Sequence, residues 1–226
     1  MEFELIFGGT FDPVHRGHLA VIQALHQSAP NMPVRLLPCA MPPLKKSPST
    51  TFTQRCEMLS LATAEYSSII IDKREELRER PSYTIETLNN LQQELPEKNF
   101  ILVIGMDNLQ IFKQWHQWQT LHLLCHLIVV NRDVQNQLTT NLSCELQSND
   151  EDMLKSQCQN LGFTPVDQIE QLVESSTGRS FLLKIPNMPQ SSTEIRQMIR
   201  NRQALDVMLP ESIIKYIHLN HLYESE

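Results

Sequence analysis

Glycine is scarce in this chain: there are six in 226 residues, and three of them, Gly8, Gly9 and Gly17, fall within twelve positions near the start. The five cysteines, Cys39, Cys56, Cys125, Cys144 and Cys158, are odd in number and make no CxxC pair, which argues against a disulfide framework and suits reduced thiols. No apolar run approaches the roughly eighteen residues of a membrane span. The opening MEFELIFGG lacks the basic flank and apolar stretch of a secretory signal, so the expectation is a cytoplasmic protein without membrane partners. Excess positive charge is missing too. A net charge of −7 argues against a nucleic-acid partner, although it leaves room for a local basic pocket that takes a single nucleotide. With 41% hydrophobic and 20% charged residues the chain can bury a real core, which excludes disorder as its overall state. No linker-like change of composition and no internal repeat divides it. One domain over 1–226 is therefore expected.

What is present is an alternation of short apolar runs with helical spacing. Residues 3–7, 34–37, 69–71, 100–105, 126–130 and 181–185 read as strands, without the polar alternation of a sheet that faces water. Between them, residues 19–28, 53–66 and 81–95 carry helical periodicity, the last with Pro81 and Ser82 as start signals. This predicts an α/β fold with a Rossmann-like, doubly wound parallel sheet, followed by a helical C-terminal part from about residue 191. There the terminal helix turns Ile213, Ile214 and Ile217 inward. Residues 134–179, rich in Gln, Asn and Ser, read as an insert with weak helical periodicity only near 153–161.

The glycine-rich stretch GGTFDPVHRGHL, residues 8–19, stands where the first strand hands over to the first helix. It is not GxGxxG. Gly8 and Gly9 let the backbone approach a phosphate, Asp12-Pro13 makes a turn, and a helix starting near Gly17 aims its free N–H groups at the site. His15 and His18, three apart, share one side of that entry turn, where imidazoles beside a helix N-terminus favour anionic charge growing at phosphorus. Gly17 between them leaves space for a flat base. Two plainer readings compete. One is a bare strand-to-helix turn with solvated histidines; the other is a zinc pair, which lacks a third and fourth ligand nearby. His122, Cys125 and His126 also have metal-like spacing, but they abut a strand, lack an acidic partner and read as structural.

A second motif, SSTEIR at 191–196, follows the last strand. Ser191 with Glu194 is a capping-box pattern and therefore an ordinary helix start. The same geometry, with two serines, a threonine and Arg196 one turn in, is also an anion cradle. Two such cradles, each after a strand, fit a triphosphate.

Together, GGTFDPVHRGHL and SSTEIR resemble the paired signatures of the HxGH nucleotidyltransferase superfamily. The stretches PPLKKSP (42–48), RPSYTIETL (80–88), IGMDNLQIFKQWHQW (104–118) and HLIVVNR (126–132) resemble its bacterial nicotinate-nucleotide adenylyltransferases. The resemblance spans most of the chain outside 134–179. It implies transfer of AMP from ATP, with Mg²⁺, to nicotinate mononucleotide, giving deamido-NAD and pyrophosphate. His15, His18 and Arg196 would act on the phosphates and transition state. Gly8, Gly9, Thr10 and Phe11 would line the nucleotide site, with Lys45 or Lys46 and the hydroxyls of Ser191, Ser192 and Thr193 on the phosphate chain. Gly105 and Asp107 would meet adenosine. Ser82, Tyr83, Thr84 and Trp115 would receive the nicotinate ring and its carboxylate, and no resident metal site is implied. Plainer roles stand beside these: Trp115 and Trp118 as core of a helix, Asp107 as an N-cap, Lys45 and Lys46 as solvated loop residues. The chain departs from the family pattern at Leu44, Gln190 and His116, where a histidine, an apolar residue and an aromatic are usual. Adenylyl transfer to the amidated nucleotide or another phosphate acceptor, and a nucleotide sensor without turnover, are the alternatives.

Overall fold

The computed structural model describes residues 1–44, 47–76, 78, 80–133, 143–186, 188 and 190–224, with the side chains of 132, 133 and 143–150 excepted. Its frame is a seven-stranded parallel sheet of β1 (Glu2–Gly9), β2 (Val34–Pro38), β3 (Ile69–Ile71), β4 (Lys98–Gly105), β5 (Cys125–Asp133), β6 (Thr164–Val166) and β7 (Arg179–Pro186). The order across it is β3-β2-β1-β4-β5-β7-β6. Residues 3–7 of β1 and 100–104 of β4 are buried in unbroken runs, as strands covered on both faces must be. The register of β4 on β5 runs from Phe100 opposite Cys125 to Gly105 opposite Val130.

The chain between strands forms α1 (Arg16–Ser28), α2 (Phe52–Ala62), α3 (Thr84–Glu94), the short α4 (Met106–Gln110) and α5 (Ser143–Asn160). After β7 come α6 (Ser192–Arg200) and α7 (Glu211–Leu219). Three of the helices turn an i, i+4 stripe inward: Gly17, Val21 and Leu25 in α1, Ile195 and Ile199 in α6, Ile213 and Ile217 in α7. Ile214 is only half-buried. The helix expected over 53–66 starts at Phe52, where Thr51 and Gln54 close a capping box, and ends early at Ala62, where the Thr63 hydroxyl donates to the Leu59 carbonyl. Within 134–179 the expected weak periodicity falls in α5. The chain then adds β6, which pairs in parallel with β7, so the run expected as a sixth strand is the seventh.

The residues cluster into two compact units. One comprises 1–6, 28–32 and 83–187; the other comprises 7–27, 33–82 and 188–226.

Candidate active site

The second unit gathers both signature motifs. β1 ends at Gly9, whose carbonyl accepts the Cys39 N–H at 2.8 Å. A Cβ at Gly9 would stand 2.9 Å from the ring of Phe11, so the missing side chain is what lets that ring fold back. Phe11 itself has φ of +53°, is buried, and meets His18 edge-on at 5.0 Å between centroids. Gly8 is exposed and Thr10 half-buried. The turn continues through a cis Asp12–Pro13 peptide into α1.

His15 caps the start of α1, where its carbonyl accepts the N–H groups of His18 and Leu19. The two imidazoles stack at 3.7 Å. The His15 N–H donates to Nδ1 of His18 at 3.2 Å, so a neutral His18 carries its proton on Nε2. The space at Gly17, expected to admit a base, is taken by protein. A Cβ there would lie 3.0 Å from His15 Nδ1 and 3.5 Å from Gln190 Oε1, so the glycine makes room for the histidine ring.

The second motif closes on the first. Ser191 caps α6, its hydroxyl accepting the Glu194 N–H at 3.2 Å. Ser192 Oγ donates to the Pro13 carbonyl at 3.1 Å, and Arg196 Nη1 donates to the Asp12 carbonyl at 2.5 Å, with Nη2 on Thr193 Oγ1 at 3.2 Å. Residues nearly the whole chain apart thus form one cradle of imidazole, hydroxyl and guanidinium donors around two helix starts.

Beneath it lies a polar network with no local signal in the sequence. Asp12 is 2% exposed. Its carboxylate accepts from Ser49 N and Thr50 Oγ1 at 2.6 Å and from Tyr223 OH at 2.7 Å, and faces Arg196 at 3.8 Å. Burial, followed by the neighbouring carboxylate, pushes the Tyr223 phenol well above its usual range and keeps it a donor. Arg55, 1% exposed, donates from Nη1 to the carbonyls of Thr10 and Cys39 at 2.8 and 2.7 Å. Desolvation lowers its pKa, partly offset by Asp12. Lys45 and Lys46 lie outside the described residues.

The other unit carries the remaining candidates. Gly105 ends β4, and a Cβ there would stand 2.6 Å from Oδ1 of Asp107, which is exposed in the first turn of α4. Tyr83 is the N-cap of α3 and Thr84 its first residue. Ser82, just before them in the chain but clustered with the unit of the two motifs, is buried with its hydroxyl unpartnered among the described residues. Trp115 is not in a helix: it sits extended between 3-10 turns at Phe112–Gln114 and Trp118–Leu123, half-buried and stacked on Phe112 at 5.0 Å. The exposed His116 packs on Tyr83 at 4.6 Å. His126 is spoken for, with ring nitrogens at 3.0 Å from the Ser175 carbonyl and 3.1 Å from the Arg179 N–H.

The family described as cytidylyltransferase-like matches residues 6–198, a span that includes both motifs. Curated relatives named nicotinate-nucleotide adenylyltransferase match nearly end to end. One from Yersinia pestis is 35% identical over 96% of this chain and 94% of its own length, and one from Pseudoalteromonas atlantica is 36% identical over 97% and 94%. The chain belongs to the nicotinate-nucleotide adenylyltransferase family. The fold agrees: a Plasmodium falciparum nicotinic acid mononucleotide adenylyltransferase complexed with NaAD covers 100% of this chain and 99% of its own, with a TM-score of 0.70 at 18% identity. Family membership makes this chain a nucleotidyltransferase, and His15, His18 and Arg196 stand where its two signatures meet. Among the described residues no helix is long and apolar enough to cross a membrane.

Proposed function

We propose that this enzyme transfers AMP from ATP to the phosphate of nicotinate mononucleotide, releasing pyrophosphate and giving nicotinate adenine dinucleotide for NAD synthesis. The reading treats residues 1–226 as one catalytic domain of a cytoplasmic enzyme whose partners are small molecules. The observation that carries it is the closure of Ser192 and Arg196 on the Asp12–Pro13 turn, which sets two anion-binding helix starts against one another.

An acceptor phosphate oxygen forms a bond to the α-phosphorus while the bond to the β-phosphate oxygen breaks, and the electron pair leaves with pyrophosphate. The nucleophile is already an anion, so no general base is needed, and the protein's part is alignment and neutralisation of charge. His18 donates from Nε2, because its Nδ1 is occupied by the His15 N–H. Arg196 exchanges the Asp12 carbonyl for a phosphate oxygen, and the hydroxyls of Ser191, Ser192 and Thr193 and the N–H groups of the α6 start take the distal groups. Lys45 or Lys46 completes the phosphate contacts. Gly8, Gly9, Thr10 and Phe11, with Gly105 and Asp107, serve the nucleoside.

The family's chemistry calls for a divalent cation, and we assign Mg²⁺. Among the described residues no group of three His, Cys, Asp or Glu side chains is placed to hold an ion, and the cradle is built of anion-binding groups. Mg²⁺ bound with the triphosphate would offset charge on its oxygens. The acceptor assignment rests on the α3 start and the half-buried ring of Trp115. The N-terminal start of α3 at Tyr83 and Thr84 suits a carboxylate, and Trp115 offers an aromatic face to the pyridine; Ser82, next to them in the chain, has a buried hydroxyl without a partner among the described residues.

The test is pyrophosphate release by purified protein with ATP and Mg²⁺, comparing nicotinate with nicotinamide mononucleotide. The acid should be the better acceptor, and His18→Ala should lower kcat about 10²-fold. An effect of that substitution confined to KM would remove the role given to His18. Preference for the amide would reassign the acceptor, and nucleotide binding without release from either would make the protein a sensor.

A further inference from the structure

The turn that follows α7 reaches under the phosphate cradle. Its Leu222 N–H donates to the Ile217 carbonyl at 3.0 Å, and His221 and Tyr223 on either side take left-handed φ values of +49° and +65°. That region is sparsely populated for an aromatic residue and persists where surrounding contacts fix it. Tyr223 has such a contact. The residue is 7% exposed, and its hydroxyl donates to Asp12 Oδ1 at 2.7 Å across 211 positions of chain.

The lone pairs of Asp12 show what this contact does. An ionised carboxylate offers about four acceptor sites. On Asp12 three are taken by neutral donors: Thr50 Oγ1 and Tyr223 OH share Oδ1, at 2.6 and 2.7 Å, and Ser49 N holds Oδ2 at 2.6 Å. Arg196 Nη1 lies 3.8 Å from Oδ2, beyond hydrogen-bonding range, and donates instead to the Asp12 backbone carbonyl at 2.5 Å. Arg55, the other guanidinium of this loop, donates to the carbonyls of Thr10 and Cys39. A carboxylate with open acceptor sites draws a guanidinium into a charge-assisted pair, roughly twice as strong as a neutral hydrogen bond. Here neutral donors occupy the carboxylate, and the guanidinium rests on a carbonyl, a weaker partner that a phosphate oxygen can displace.

We propose that Tyr223 is a positioning residue for Arg196: with Thr50 it fills Oδ1 of Asp12, so that the carboxylate does not capture the guanidinium and Arg196 can pass from the Asp12 carbonyl to the triphosphate. Tyr223 touches no substrate and acts through Asp12. Without its hydroxyl, a buried carboxylate oxygen is left short of a donor, and Arg196 is the cation that faces it. The inference deepens the adenylyl-transfer reading and rests on it for what Arg196 binds.

The experiment measures the dissociation constant of ATP with Mg²⁺, by calorimetry and without acceptor, on the full-length wild type, Tyr223→Phe, Arg196→Ala and the double variant. Phenylalanine should weaken ATP binding about tenfold, the size of one hydrogen bond to a charged group, and leave kcat at saturating ATP near its original value. In the Arg196→Ala background the same substitution should change nothing, because the group through which Tyr223 acts is gone. An equal loss in both backgrounds overturns the proposal, since a merely structural role does not depend on Arg196. ATP affinity unmoved by Tyr223→Phe, or by Arg196→Ala, overturns it as well. Should the phenylalanine variant fail to fold, Thr50→Val withdraws the other Oδ1 donor and is read by the same rule: a loss that requires Arg196 supports the proposal, and any other result overturns it. Pyrophosphate release with nicotinate mononucleotide is followed in parallel. Coupling of Tyr223 to Arg196 in a protein that releases none supports the contact and overturns the adenylyl-transfer reading, whereas release without coupling does the reverse.

Discussion

The unit that carries the histidine pair holds its buried Asp12, Asp72 and Arg55 in hydrogen bonds and ion pairs, whereas the unit that carries Trp115 keeps the buried His126 neutral and leaves Trp115 and Tyr83 half-buried. In the first, Asp12 faces Arg196 and receives three further donors, and Arg55 is spent on two backbone carbonyls. Asp72 follows the same rule: burial pushes its pKa up, but hydrogen bonds from Arg74 and Arg35 outweigh that and hold it below the usual carboxylate range. In the second, buried His126 has one ring nitrogen on a carbonyl and the other on an N–H, which only a neutral imidazole satisfies. Glu4 on Lys98 is the exception there. Under the proposed adenylyl transfer the difference follows from the task. A loop that must hold still against a polyanion needs fixed dipoles and fixed charge, while a pocket for a flat ring needs a face and little else.

The comparison can be broken most readily at Asp12. Replacing it with Ala removes the acceptor of three donors and the countercharge of Arg196, and should cost about 3 kcal/mol of stability. Denaturant unfolding measures this, and a loss well under 1 kcal/mol would mean the carboxylate is not the hub of the loop. A smaller effect is expected in the other unit. Trp115→Ala should raise KM for nicotinate mononucleotide about tenfold, in keeping with the loss of one stacked ring, and leave KM for ATP near its original value. An equal rise for both substrates would show that Trp115 supports the fold and not the acceptor.

The smallest effect concerns pH. Desolvation leads the causes that lower the His126 pKa in the folded protein, so the unfolded chain binds a proton more readily than the folded one. The stability this neutral ring contributes is complete above its unfolded pKa of about 6.5, and is lost as pH falls through that value towards the folded one. The melting temperature should therefore fall more steeply below neutrality in the wild type than in His126→Gln. Parallel curves would mean that His126 is not the group responsible.

How much of this was legible in the chain depends on sequence separation. The strand at residues 69–71 was read to the residue, and the helix starts at GGTFDPVHRGHL and SSTEIR were visible because a turn and a cap are written in adjacent positions. The three-residue β6 was missed: TPV means little until β7 lies beside it. The plainer reading of Trp115 and Trp118 as core of one helix does not hold, because spacing cannot report the extended residue and the left-handed Gln117 that separate two 3-10 turns there. Gly17 was understood as space, but which group filled that space was not a local question.

The sequence by itself determined the sheet class, the two helix starts proposed to bind phosphate and the residue types that stand there, because each depends on short-range periodicity, turn chemistry and side-chain type. Only the tertiary structure decided what those donors stand on. Arg55 reaches Thr10 across 45 positions and Tyr223 reaches Asp12 across 211. Contacts of that span leave no pattern in either segment; they exist only once the sheet and its helices have brought distant residues within hydrogen-bonding range.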